Sequence, residues 1–153
     1  MEERKTTVTV SFDITLEDHY DLLKKFFDLD KNFKLNQEKA LCWAVKNNNA
    51  KLVSLLIQAG ADVTIDDNWP IRYAISKNYA EIVKILIEAG ADVMAEDNWP
   101  IVCVVVENYT ETMKVLIEKG VDVTTDDNWP IRYATANNNT EMINILIEAG
   151  AKL

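Results

Sequence analysis

Asp67-Asn68-Trp69-Pro70-Ile71 is written three times in this chain. It returns as Asp97-Asn98-Trp99-Pro100-Ile101 and as Asp127-Asn128-Trp129-Pro130-Ile131, each copy 30 residues after the last. A matching frame surrounds it: Tyr-Ala after the Ile, then an Ile-Val-Lys-Ile-Leu-Ile-Glu-Ala-Gly stretch, then Ala-Asp-Val. Self-similarity at so short a fixed period marks an array of supersecondary units in which each contacts only its neighbours. Such an array offers an extended surface in place of a single pocket.

One unit, Trp69 to Glu96, shows the local logic. Pro70 stands where a first helical residue would stand, with φ already set and no amide hydrogen to lose. Ile71, Ala74 and Ile75 then share one helical face. Asn78 follows, a residue that tolerates the left-handed conformation ending a helix, and Asn48, Asn108 and Asn138 fill the same slot. A second helix runs from about Ala80 through Ile82, Val83, Ile85, Leu86 and Ile87, too apolar to be exposed on most sides. Gly90 stops it, as Gly60, Gly120 and Gly150 stop theirs. Ala91-Asp92-Val93 is expected to carry the chain back in an extended stretch. The units predicted are 39–66, 69–96, 99–126 and 129–153.

Two periods further back the register still reads: Leu22, Leu23, Phe26 and Phe27 align with Ile82, Val83, Leu86 and Ile87. Residues 1–38 are therefore expected to hold a degenerate half-unit, its helix from about Leu16 to Asn36. Before it Val8, Val10, Phe12 and Ile14 alternate with polar residues, the period of a strand or extended cap over Thr6–Ile14. At the other end Ile143 and Ile147 remain apolar with no unit after them.

A chain of 153 residues with 48% hydrophobic and 27% charged side chains is globular in composition. A net charge of -9 disfavours nucleic acid or an anionic membrane as partner, since phosphate binding needs clustered Lys and Arg. A protein partner with a basic surface is the natural complement. Cys42 and Cys103 with a single His19 make neither a disulfide framework nor a metal site, so no cofactor or metal is expected and the compartment reads as cytoplasmic.

Thr-Pro-Leu-His-x-Ala-Ala, Gly-His, Val-Val-Lys-Leu-Leu-Leu and Gly-Ala-Asp-Val are the marks of the ankyrin repeat. They map onto Trp69-Pro70-Ile71-Arg72-Tyr73-Ala74-Ile75, Asn78-Tyr79, Ile82-Val83-Lys84-Ile85-Leu86-Ile87 and Gly90-Ala91-Asp92-Val93. The chain thus resembles that family over about residues 39–153. The resemblance implies an all-α solenoid of stacked helix-turn-helix units, with the short N-terminal strand or cap at one end. This chain departs from the pattern in its period, 30 residues against the usual ~33. The loss falls between Val93-Met94-Ala95 and Trp99, so the projecting fingers should be stubs.

The resemblance also implies protein binding on the concave side, through exposed first-helix positions and finger tips. Carried over by position, the central stripe is Trp43, Tyr73, Cys103 and Tyr133, with Lys77, Glu107 and Asn137 one turn along. Aromatic side chains there either form contact area or pack within the array. Trp69, Trp99 and Trp129 form a second ladder, and Asp67, Asp97 and Asp127 belong to an acidic edge beside it. The third unit breaks the pattern: Val102-Cys103-Val104-Val105-Val106 replaces Arg-Tyr-Ala. The function expected is a protein interaction module acting as a small inhibitor or adaptor. Self-assembly through the N-terminal strand or the last unit is the alternative, and a homodimer is not favoured. No Ser-His-Asp or Cys-His set and no phosphate-cradling glycine loop is present, so no enzyme is expected.

Overall fold

The structure, a computed structural model, describes residues 33–94 and 98–152. They fold entirely into helices, with no strand among them. We number these α1 (Phe33–Lys46), α2 (Ala50–Gln58), α3 (Ile65–Ser76), α4 (Ala80–Glu88), α5 (Trp99–Val106), α6 (Thr110–Glu118), α7 (Thr125–Ala136) and α8 (Thr140–Glu148). Each odd-numbered helix packs on the even-numbered one that follows it. The odd helices also stack on one another, α1 on α3 on α5 on α7, and the even helices do the same. The result is two layers with one continuous core between them. Leu41, Ile71, Ile101 and Ile131 from the first layer and Leu56, Leu86, Leu116 and Leu146 from the second are all 0–1% exposed. Each is worth about 1.5–3 kcal/mol of burial, which no isolated helix pair could collect on both faces.

The tight turns use residues suited to positive φ. Asn48, Asn78, Asn108 and Asn138 lie at φ 51, 58, 56 and 56°, and Gly90 closes α4 at φ 96°. Three features differ from expectation. The chain after each second helix is not simply extended: Ala91-Asp92 leads into a turn in which Asp92 Oδ1 accepts from the Met94 amide at 2.9 Å. Asp62 and Asp122 act alike, each accepting from both the amide and the hydroxyl of Thr64 or Thr124 at 2.7–2.8 Å. A side-chain carboxylate two residues back offers the backbone this turn in place of a strand.

Next, the finger stubs are left-handed. Asp66, Asp67 and Asn68 take φ 48, 53 and 57° in succession, and Asp126, Asp127 and Asn128 take 49, 56 and 57°. The Asn68 and Asn128 amides reach back to Thr64 and Thr124 carbonyls. Asp and Asn are the non-glycine residues least penalised there.

Finally, Phe33–Asn36 belong to α1, not to the end of a preceding half-unit helix. Where later units have Asp67-Asn68-Trp69-Pro70, this one has Gln37-Glu38-Lys39-Ala40, which favour right-handed helix, so the helix starts earlier. Gln37 is buried and donates to the Ala59 carbonyl at 2.8 Å. The expected strand at Thr6–Ile14, and the half-unit helix up to residue 32, lie outside the described residues.

Candidate interaction surface

After the left-handed residues 66–68, Pro70 begins the right-handed part of α3, and Ile71, Ala74 and Ile75 fix which side of it faces the core. The opposite side carries Trp69, Arg72, Tyr73 and Ser76, with Lys77 at the C-cap, and the other odd helices present the equivalent positions with different residues. Trp69 and Tyr73, four residues apart, stack with centroids 4.8 Å apart and planes 27° apart. Tyr79 flanks Tyr73 at 6.5 Å and 58°. Two cations rest on these rings: Lys46 Nζ lies 5.2 Å from the Trp69 centroid and Lys77 Nζ 5.8 Å from that of Tyr73. Ring faces are electron-rich, so an ammonium there is held by attraction. Trp69, Arg72, Tyr73, Ser76 and Trp99 line an open depression of about 310 Å³.

Of the expected site residues, Trp43, Trp69, Tyr73, Lys77 and Trp99 lie along the N-terminal part of this face. Trp43 is 57% exposed and lines a larger hollow with Glu38, Lys39, Cys42, Lys46, Ile65 and Asp66. Trp129 and Tyr133 form a separate pair at 5.0 Å, 33° apart, and the Asn137 side chain donates to the Tyr133 carbonyl at 2.9 Å. Cys103 is half-buried, and burial, then Glu107, pushes its thiol pKa up. Burial does the same to Cys42, and a raised pKa leaves little thiolate at neutral pH. Asp67 and Asp127 sit on the left-handed stubs, exposed to solvent. Asp127 meets Arg132 at 3.4 Å. Asp97 lies outside the described residues.

Lys46 was not among the residues singled out from sequence. It follows Trp43 by three positions on α1, and that spacing is the signal that placed it on this face. Val102 and Val106, noted only as a break in pattern, are 36% and 42% exposed, an apolar strip beside Cys103. Polar ties between units lie elsewhere. Lys119 meets Glu88 at 3.0 Å and Lys114 meets Glu141 at 3.3 Å, Lys114 also pairing with Glu111 of its own helix at 2.6 Å. The hydrogen bond and charge of Lys119 hold the Glu88 carboxyl below its ordinary pKa, and Glu111 and Glu141 raise that of Lys114. On the stub edge, Asn98 donates to Asp126 at 3.2 Å. Among the described residues no group of His, Cys, Asp and Glu is placed to hold a metal, and no helix is long and apolar enough to cross a membrane.

The family model described as ankyrin repeats (3 copies) matches residues 13–97, more than half the chain. The chain belongs to the ankyrin repeat family. Among solved structures it is similar to an ankyrin repeat domain from Acinetobacter baumannii AYE. The two are 21% identical, with 90% of this chain and 95% of that one covered and a TM-score of 0.47. No curated protein matches. Within the ankyrin family, protein–protein interaction is the general role.

Proposed function

We propose that this ankyrin array binds a protein partner through the exposed face of its first helices and the adjoining stub edge, and acts by occupancy as a small inhibitor or adaptor in the cytoplasm. The observation that carries the reading is the layer of exposed and half-buried Trp and Tyr on α1, α3, α5 and α7. Aromatic side chains contribute large contact area at low entropy cost. Asp66, Asp67, Asp126 and Asp127 give the stub edge an acidic character suited to a partner with a basic rim, which would speed its encounter.

The test is retention of a partner from the source cell's lysate by the wild-type chain against a Trp43→Ala/Tyr73→Ala/Tyr133→Ala chain. A protein held by the first and lost by the second supports the reading, and equal retention by both refutes binding through this face. Self-assembly is the second reading, with the exposed Ile147 as its candidate contact. Light scattering over a concentration series decides it, since a constant monomer mass removes it.

A further inference from the structure

We propose that the first-helix face takes an acidic peptide segment with an apolar anchor, opposite in sign to the partner that the net charge of the chain suggests. This specifies what lies on the floor of the interaction surface above, and rests on the reading of the chain as a protein-binding module.

The charge of this molecule is segregated. From the tryptophan-ladder slot to the helix C-cap, the four first helices run Lys39–Asn47, Trp69–Lys77, Trp99–Glu107 and Trp129–Asn137. Within these bounds they carry Lys39, Lys46, Arg72, Lys77 and Arg132 against one carboxylate, Glu107, although Arg132 is paired with Asp127 and Glu38 and Asp66 flank the Lys39–Lys46 end. Among the described residues most other carboxylates sit on the stubs and the outer layer: α4, α6 and α8 each carry an acidic residue in the first turn and end on Glu. The positive potential of the floor is therefore local, felt by a group seated on it and offset at a distance by the surrounding carboxylates.

The cations are also held in place. With Lys46 on Trp69 and Lys77 on Tyr73, two flexible side chains already give up freedom before any partner arrives, which lowers the cost of ordering them on binding. An ammonium has three donors, and a ring occupies only the side that rests on it. The depression of about 310 Å³ between the Trp69–Tyr73 pair and Trp99 has room for one large side chain. Val102 and Val106 extend the apolar surface beyond it. Carboxylates spaced around one aromatic or branched aliphatic residue match this sequence of cation, aromatic-walled hollow with Arg72 and Ser76 on its lining, and apolar strip. A long polyanion such as nucleic acid would also meet the carboxylates of Asp66, Asp67, Asp126 and Asp127, which repel it. A short acidic segment of a protein meets fewer of them, Asp66 beside Lys46 being the nearest.

The experiment is selection of a displayed random peptide library on the folded chain, followed by affinity measurement with one synthetic peptide of the enriched sequence. The enriched peptides should carry Asp or Glu on both sides of one aromatic or aliphatic residue. Binding should fall at least about tenfold for Lys46→Glu/Lys77→Glu and for Val102→Asp/Val106→Asp, and rise for Glu107→Lys. It should also weaken as salt is raised from roughly 50 to 300 mM. All five positions are exposed, and an unchanged melting curve confirms that each variant folds. Lys46→Gln/Lys77→Gln, which removes charge without reversing it, should give a smaller loss in the same direction. Basic peptides that lose affinity for Asp67→Asn/Asp127→Asn would overturn the acidic-segment inference while leaving the module reading intact. No enrichment, or peptides that bind every variant like the wild type, would overturn both.

Discussion

Thr112 is the one fully buried polar residue of the second-helix layer among the described residues, and its hydroxyl depends on a neighbouring unit. It is 0% exposed, and Oγ1 donates to Asn78 Oδ1 at 2.7 Å. The corresponding slots in the flanking units hold Ile82 and Met142, both equally buried, so the position accepts apolar bulk and the hydroxyl is a local addition. Asn78 has two tasks here: its backbone turns left-handed at φ 58°, and its side chain satisfies Thr112. Glycine performs the first task without strain and cannot perform the second. Asn78→Gly should therefore leave a buried donor unpaired, at a cost of about 1–3 kcal/mol, partly offset by relief of the left-handed backbone.

Asn108→Gly is the matched control, with φ 56° and the apolar Met142 in the facing slot. The difference between the two substitutions isolates the hydrogen bond, expected near ~1–2 kcal/mol. For a chain of this size that is a gap of roughly 3–8 °C in melting temperature. Thr112→Val should be close to neutral, because it removes the buried donor and the Asn78 amide is exposed and returns to water. In the Thr112→Val background, Asn78→Gly should then cost no more than Asn108→Gly does. Urea unfolding followed by circular dichroism and by tryptophan fluorescence measures all of these, and coincidence of the two probes secures the two-state treatment. Equal effects of Asn78→Gly and Asn108→Gly, or a Thr112→Val cost matching that of Asn78→Gly, would refute the assignment.

Gly90→Ala meets nothing within 4 Å but sits at φ +96°, so it should lose about 1 kcal/mol through conformation alone, read by the same unfolding assay. Asp67→Gly relieves a residue at φ 53° in an exposed stub and should raise stability by up to about 1 kcal/mol; a loss would show that the Asp67 side chain holds the stub. The Asp122 carboxyl is held below its ordinary pKa, first by the Thr124 hydroxyl and then by its amide. Because the folded pKa is the lower one, this stabilisation is full above the ordinary carboxylate pKa of about 3.9 and is lost as pH falls below it. Asp122→Asn keeps a neutral acceptor for Thr124, so its melting temperature should fall less steeply than wild type between pH 5 and pH 3, roughly the span over which carboxylates titrate.

Much of the architecture was legible because its determinants are local. Pro70 opens a helix, Asn78 and Gly90 end helices, and the spacing of Ile71, Ala74 and Ile75 names the buried face; each acts within a few residues of itself. The Trp69–Tyr73 stack was not legible, because the repeat register places Trp69 and Tyr73 in two separate ladders, although their separation of four on one helix permits it. The departures arise where locality fails. Asn36-Gln37-Glu38 aligns with Asp66-Asp67-Asn68 by register, yet its residues favour the right-handed helix, and α1 extends accordingly. Three left-handed residues in a row are rarer than the single ones that Asp and Asn usually supply, so the stubs looked from sequence like ordinary loops. The sign of the floor was hidden by the average. A net charge describes the whole molecule, and only the sorting of slots into two layers shows that Lys46, Arg72 and Lys77 share a side, with Glu38, Asp66 and Glu107 as the carboxylates around it.

That sorting also separates architecture from recognition within a single chain. Exposed positions on both layers are under little packing constraint, so packing alone would let both drift alike from unit to unit. They do not. On the outer layer the first-turn slot reads Lys51, Glu81, Glu111, Glu141 and the last-residue slot Gln58, Glu88, Glu118, Glu148, settling on glutamate after the first unit. On the first-helix face one slot reads Lys46, Ser76, Val106, Ala136, and the next reads Asn47, Lys77, Glu107, Asn137. A repeated glutamate gives solubility and a uniform field. A series that changes size, polarity and charge at each step gives every unit a different exposed surface, which is the property the proposed recognition face requires.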